Sequence, residues 1–198
     1  MKFQLMALVL LPLTVFAQTD GSIVCWGDNS CGQCDIPEPN EGYISIAAGQ
    51  AHCLGLKEDG SIIAWGYNYS GQCDVPEPNE DFTAVAAGIE HSMGLRSDST
   101  IVCWGDSAYG QCGVPSPNED FVAVAAGGFF CLGLKSDGSV VVWGLNESGQ
   151  CDGPEPNEDF IAIDAGGGHC LGLKTDGSIV CWGYNWSGQC EVPEPNED

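Results

Sequence analysis

Residues 20–58 read DGSIVCWGDNSCGQCDIPEPNEGYISIAAGQAHCLGLKE, and the same phrase returns from Asp59, Asp98, Asp137 and Asp176. The period is an unbroken 39 residues, with four full copies and a fifth that stops at Asp198. Self-similarity at this spacing is the mark of a repeat architecture, in which no single unit buries its apolar face alone. Inside each copy the apolar residues alternate with period two and are bounded by Gly, Pro and Asn, which predicts short strands and no helix. Along 82–115, FTAVAAG (82–88), HSMGLRS (91–97), STIVCWG (99–105) and GQCGVP (110–115) read as four successive strands. LKEDGSI (56–62) places Asp-Gly between two apolar runs, a hairpin signal because Gly accepts positive φ without steric cost.

Four antiparallel strands per repeat predict an all-β propeller blade. Ala and Gly in VAAG suit a crowded strand near the axis. Trp26, Trp65, Trp104, Trp143 and Trp182 recur at one phase, where indoles fill the space between blades. The chain opens on a third-and-fourth-strand hairpin (20–39) and continues for about four and a half blades, fewer than a closed ring takes. The expectation is a truncated record of a longer gene, or closure by an unusual blade number or by a second copy; open blade edges invite self-association.

The first residues, MKFQLMALVLLPLTVFAQTD, carry one base at Lys2, an apolar run, and small residues at Val15 and Ala17. That pattern predicts a secretory signal peptide over 1–17, followed by a β-propeller repeat domain over 18–198. The expected location is secreted or cell-surface, or periplasmic in a Gram-negative host, with no membrane insertion. The chain carries 28 acidic residues against five basic ones, for a net charge of −23. Such acidity repels phosphate backbones and excludes nucleic acid as a partner.

The motifs WGDNSCGQC, WGYNYSGQC, VAAGGFFCLGLKSDGSVVVWG and AGGGHCLGLKTDGSIVCWG resemble the repeats of the regulator of chromosome condensation family. That family's pattern is W-G-x-N-x-x-G-Q, then V-A-A-G-x-x-H-x-L-x-L and D-G. The resemblance spans 20–198 and implies a β-propeller, usually of seven blades. Cys stands where Leu commonly follows Gly-Gln, Phe130 replaces one His, Ser107 replaces one Asn, and the copy number is low. A tryptophan-aspartate repeat propeller is the runner-up on period alone, but these copies have Trp-Gly.

The resemblance permits three functions. One is a secreted, non-catalytic module binding an extracellular protein or glycan; secreted inhibitors of β-lactamase are a family precedent. Another is a structural segment of a larger cell-surface protein. The third is guanine-nucleotide exchange, the activity of the family's nuclear members. The first is the choice, with a rim of variable loop residues: Asp28, Tyr67, Asp106, Leu145 and Tyr184 at one phase, and Ser30, Tyr69, Ala108, Glu147 and Trp186 at another. The candidate rim is Tyr67, Tyr69, Tyr109, Glu147, Tyr184 and Trp186.

Features present in every copy belong to the blade before they belong to a unique site. His52, His91 and His169 share one phase and read as side chains bonding a neighbouring turn, in preference to metal ligands. The pairs Glu80/Asp81, Glu119/Asp120, Glu158/Asp159 and Glu197/Asp198 read as solvated loops, with weak calcium binding the alternative. Asn68, Asn146 and Asn185 begin glycosylation sequons and equally fit the family turn. No nucleophile, phosphate loop or cofactor motif accompanies them, so the expectation is no catalysis and no cofactor.

Twelve cysteines sort by phase. Cys34, Cys73, Cys112, Cys151 and Cys190 follow Gly-Gln; Cys53, Cys131 and Cys170 lie on the second strand; Cys25, Cys103 and Cys181 precede Trp. Two readings stand side by side: small buried apolar residues, or disulfides paired as Cys25–Cys34, Cys53–Cys73, Cys103–Cys112, Cys131–Cys151, and Cys190 with Cys170 or Cys181. CGQC (31–34) combines the repeated Cys34 with Cys31, whose phase elsewhere holds Ser or Tyr, and does not read as a redox centre.

Overall fold

The computed structural model describes residues 21–193; the signal peptide expected at 1–17 and the pair Glu197/Asp198 lie outside the described residues. Twelve strands form four antiparallel sheets of three, each following chain order. The first sheet is β1 (Tyr43–Ala48), β2 (His52–Lys57) and β3 (Ile62–Gly66). The second is β4 (Phe82–Ala87), β5 (His91–Arg96) and β6 (Ile101–Gly105). β7 (Phe121–Ala126), β8 (Phe130–Lys135) and β9 (Val140–Gly144) make the third. β10 (Phe160–Ala165), β11 (His169–Lys174) and β12 (Ile179–Gly183) make the fourth. Neighbouring first strands β1, β4, β7 and β10 touch in sequence, and the Ala-Gly turns that follow them converge on a shared hollow.

The strand expected at 110–115 is not formed. Gly110 N–H donates to Ser107 O and Gly113 N–H to Gly110 O, so the chain makes two tight turns there. Pro115 and Pro117 follow, and neither carries an N–H for a ladder. An asparagine side chain takes the missing strand's place at the edge of β6. Asn118 Oδ1 accepts from Ile101 N–H and its Nδ2 donates to Ile101 O, both at 2.8 Å. Asn40 with Ile23, Asn79 with Ile62 and Asn157 with Val140 repeat this bridge at 2.7–2.9 Å. Blades are therefore three-stranded, and the first three sheets are each closed by an amide.

The core lies between sheets. Leu54, Leu56 and Ile62 of the first sheet pack on Phe82 and Trp104 of the second. Met93, Leu95 and Ile101 pack on Phe121 and Trp143, and Leu132, Leu134 and Val140 on Phe160 and Trp182. Each indole also donates its N–H to the Gln carbonyl of the preceding repeat: Trp65 to Gln33, Trp104 to Gln72, Trp143 to Gln111 and Trp182 to Gln150, at 2.8–3.0 Å. Trp26, expected in the same role, is 71% exposed, because no preceding Gln turn among the described residues faces it. Within a sheet, the ring of Phe121 lies against Gly133, where a Cβ would come within 2.4 Å of it.

The second member of each described carboxylate pair is a turn residue. Asp81, Asp120 and Asp159 adopt φ of 63–66°, and Gly42 takes their place in the first copy at 71°. Asp is among the few non-glycine residues that enter this region readily, which accounts for its recurrence.

Candidate functional site

β2, β5, β8 and β11 all run from a histidine or phenylalanine at one end to Lys or Arg at the other. At the histidine end, the turn entering each second strand meets the loop leaving each third strand. Tyr67 N–H donates to Ala51 O, Asp106 to Glu90, Leu145 to Phe129 and Tyr184 to Gly168, at 2.8–2.9 Å. All six candidate rim residues therefore gather at this one end.

Their loops share a scaffold. Asn68 Oδ1 accepts from Cys73 N–H and its Nδ2 donates to Asp74, and Asn146 does the same with Cys151 and Asp152. Asn185 accepts from Cys190 N–H. The turn role of the sequon asparagines is thus visible in their bonding. Gln72 Oε1 accepts from Ser70 N–H, and Gln111 and Gln150 repeat that bond with Tyr109 and Ser148.

The first variable position separates scaffold from rim. Asp28 accepts from Ser30 and Gln33, and Asp106 accepts from Ala108 N–H and, at 2.8 Å, from Gln111 Nε2. The Ser30 hydroxyl and amide hold the Asp28 carboxyl below its ordinary range. In the second loop Tyr67 occupies this position, and the buried Gln72 Nε2 has no partner among the described residues. A buried unpaired amide costs about 1–3 kcal/mol. The tyrosine, half-buried, stacks instead on Tyr69 at 6.4 Å between centroids and 22° between planes. Tyr184 stacks on Trp186 in the same way, at 6.2 Å and 23°.

Tyr69 is 87% exposed and Trp186 91%. Tyr109 packs at 5.1 Å on Phe129, which the sequence reading passed over although Ala51, Glu90, Phe129 and Gly168 form a further variable phase. Glu147 is exposed, and Glu90, of that same phase, accepts the Ser70 hydroxyl at 2.7 Å.

The basic residues stand apart. Lys57, Arg96, Lys135 and Lys174 lie at the far end of the second strands, roughly 17 Å away by strand length. Each sits over the ring of its own sheet's first residue: Tyr43 at 3.5 Å, Phe82 at 5.1 Å, Phe121 at 4.6 Å and Phe160 at 4.9 Å. Each also donates to a carbonyl: Lys57 to Pro39 and Glu41, Arg96 to Pro78, Lys135 to Glu119 and Lys174 to Pro156. The rim is aromatic and acidic, with no described Lys or Arg.

His52 and His91 are buried between sheets. His52 Nε2 lies 3.0 Å from Ser92 Oγ, and His91 Nε2 lies 3.2 Å from Cys131 Sγ, on the second strand of the next sheet in each case. Burial lowers both imidazoles from 6.5 to about 4, so they are neutral at pH 7. Phe130 fills the same position with no polar atom at all, and His169 is half-buried. Among the described residues, no three His, Cys, Asp or Glu side chains are placed to share a metal ion.

Disulfides join Cys25–Cys34, Cys103–Cys112 and Cys181–Cys190, with Cα atoms 5.0–5.1 Å apart. Cys53, Cys73, Cys131, Cys151, Cys170 and Cys31 are free thiols, so the expected pairs Cys53–Cys73 and Cys131–Cys151 are not formed. Strand alternation supplies the reason. Cys53 pairs in register with Trp65 and Cys131 with Trp143, which puts both thiols on the tryptophan face. There they donate to Gln33 O and Gln111 O of the preceding repeat. Cys103, one residue before Trp104, points to the opposite face, where the Gly-Gln-Cys turn of its own repeat lies. The same register sends Cys170 to Gln150 O and leaves Cys181 to Cys190.

The model of the regulator of chromosome condensation (RCC1) repeat matches residues 43–72, 82–111, 121–150 and 160–189. Similar solved structures include the ectodomain of the Physcomitrella patens receptor kinase CR4, at 26% identity and TM-score 0.73, covering 88% of this chain and 50% of that one. The CRINKLY WD40 ectodomain of the Arabidopsis thaliana receptor kinase ACR4 is 30% identical with TM-score 0.57, covering 73% and 52%. Prp20p from Saccharomyces cerevisiae, at 20% identity and TM-score 0.70 over 86% and 55%, shares the fold. The chain spans about half the length of each. No curated protein matches the sequence.

Proposed function

We propose that this chain, which belongs to the RCC1 repeat family, is a non-catalytic extracellular module that binds a protein through the aromatic end of its propeller. The observation that carries this reading is the replacement at Tyr67. A scaffold aspartate that would satisfy Gln72 gives way to a half-buried tyrosine stacked on the exposed Tyr69, and Tyr184 with Trp186 repeats the stack three blades on. Local rules broken without a structural gain mark functional positions. Aromatic side chains supply large contact area at little entropic cost, which is why they dominate binding hot spots.

Three disulfides fit an oxidising compartment, the leader-like sequence at 1–17 supports export, and among the described residues no helix is long and apolar enough to cross a membrane. Relatives of the fold engage proteins: Prp20p was studied for its binding to Gsp1p and histones. The likeness to two receptor-kinase ectodomains favours a second reading, in which these blades are a segment of a larger cell-surface protein.

The test is comparative capture from extracellular fluid by the wild-type chain and by a Tyr69→Ala/Trp186→Ala variant. The exposure of both side chains lets the variant fold normally. Proteins retained by the wild type and lost by the variant support the reading; identical sets, or none, overturn it.

A further inference from the structure

The aromatic rim also carries information about its partner. Its loops hold carboxylates at Asp28, Asp74, Glu90, Asp106, Glu147 and Asp152, while every described Lys and Arg lies at the opposite end. At that opposite end four buried rings, Tyr43, Phe82, Phe121 and Phe160, are each capped by a cation of their own sheet at 3.5–5.1 Å. The rim rings Tyr69 and Trp186 are larger in exposed face and have no cation among the described residues. An aromatic face bordered by carboxylates attracts a guanidinium or ammonium twice, through the ring quadrupole and through charge.

We propose that the rim binds an extended Arg- or Lys-rich segment of a partner protein, with Tyr67/Tyr69 and Tyr184/Trp186 as stacking platforms and the loop carboxylates as counter-charges. Charge complementarity selects this occupant: a chain of net charge −23 offers four described bases, all engaged in its own framework, and nothing on the rim to pair an acidic ligand. A neutral glycan would use the same rings without the carboxylates. The inference rests on the binding-module reading above and specifies the chemistry of the partner.

The experiment is calorimetric titration of the full chain with a capped hexa-arginine peptide, with hexaglutamate and chitohexaose as the alternative probes. Hexa-arginine is expected to bind, to weaken about tenfold in Tyr69→Ala/Trp186→Ala, and to weaken again as salt rises from about 50 to about 300 mM. A variant neutralised at the far end, Asp59→Asn/Asp98→Asn, separates rim binding from general attraction to an acidic surface and should bind as the wild type does. Equal loss in both variants, no binding, or a preference for chitohexaose would overturn the proposal. If the rim variant loses a captured partner while hexa-arginine never binds, the cation inference falls and the binding-module reading stands. If the rim variant loses neither, both fall.

Discussion

His52 and His91 illustrate how one phase of the repeat carries one chemistry until a substitution removes it. Both are held near pKa 4 by burial, below the 6.5 of an unfolded chain. Above pH 6.5 neither state is protonated and the pair adds no pH dependence. As pH falls from 6.5 to 4 the unfolded chain takes up protons that the folded one refuses, and stability drops by about 1.4 kcal/mol per pH unit per histidine. His91→Phe, the residue that Phe130 already provides in the next sheet, should therefore flatten urea-midpoint profiles over that window by about half the histidine contribution. An unchanged slope would count against buried neutral imidazoles.

Tyr67→Asp should restore the bond that Asp106 makes to Gln111, raising stability by about 1 kcal/mol in denaturant melts while weakening partner binding. Ser99 stands at φ 67° where Gly60 and Gly138 stand at 81–82°. Ser99→Gly should relieve that strain and shift the thermal midpoint upward by about 0.5–1 kcal/mol of stability. Turn glycines and the His phase were legible in sequence. The unpaired Gln72 was not, because it depends on which loop atom lies opposite a buried amide.

Among the elements, the first three strands of each repeat sit within two residues of the pattern-derived positions, since alternation of apolar and polar residues is a local property. The fourth was misread for a local reason as well: GQCGVP resembles a strand in composition but contains the turn and leads into prolines. The cysteines needed more. Alternation across β2 and β3 decides which thiols face their own turn and which face the preceding repeat, and phase tabulation alone left both pairings open.

Mass spectrometry should accordingly find six thiols alkylated in denaturant without reductant and twelve after reduction. In the native protein Cys31, which is exposed, should react first. Burial and neighbouring carboxylates push Cys73 and Cys151 up to about 11, and burial raises Cys53, Cys131 and Cys170 as well, so these five should react slowly. Twelve reactive thiols without reductant would refute the disulfides.

At the scale of the molecule, stability is shared between neighbours, because every apolar cluster takes one side from each of two sheets. Trp143 joins the second and third sheets through its ring and through its bond to Gln111 O. Trp143→Ala should cost about 3–5 kcal/mol and uncouple the two halves, so that dichroism and fluorescence melts, coincident in the wild type, separate. Coincident melts in the variant would show that the sheets are coupled by other contacts.

The repeat, the strand order, the inter-blade tryptophans and the acidic charge could all be read from the chain before it folds, because periodicity, alternation and composition are written one residue at a time. It took the packing of repeat on repeat to decide that Cys53 and Cys131 face the preceding repeat, and that the rim aromatics and the bases occupy opposite ends. Each of those depends on which way a side chain points once strands from different repeats lie side by side, and the distance between repeats along the chain hides that direction.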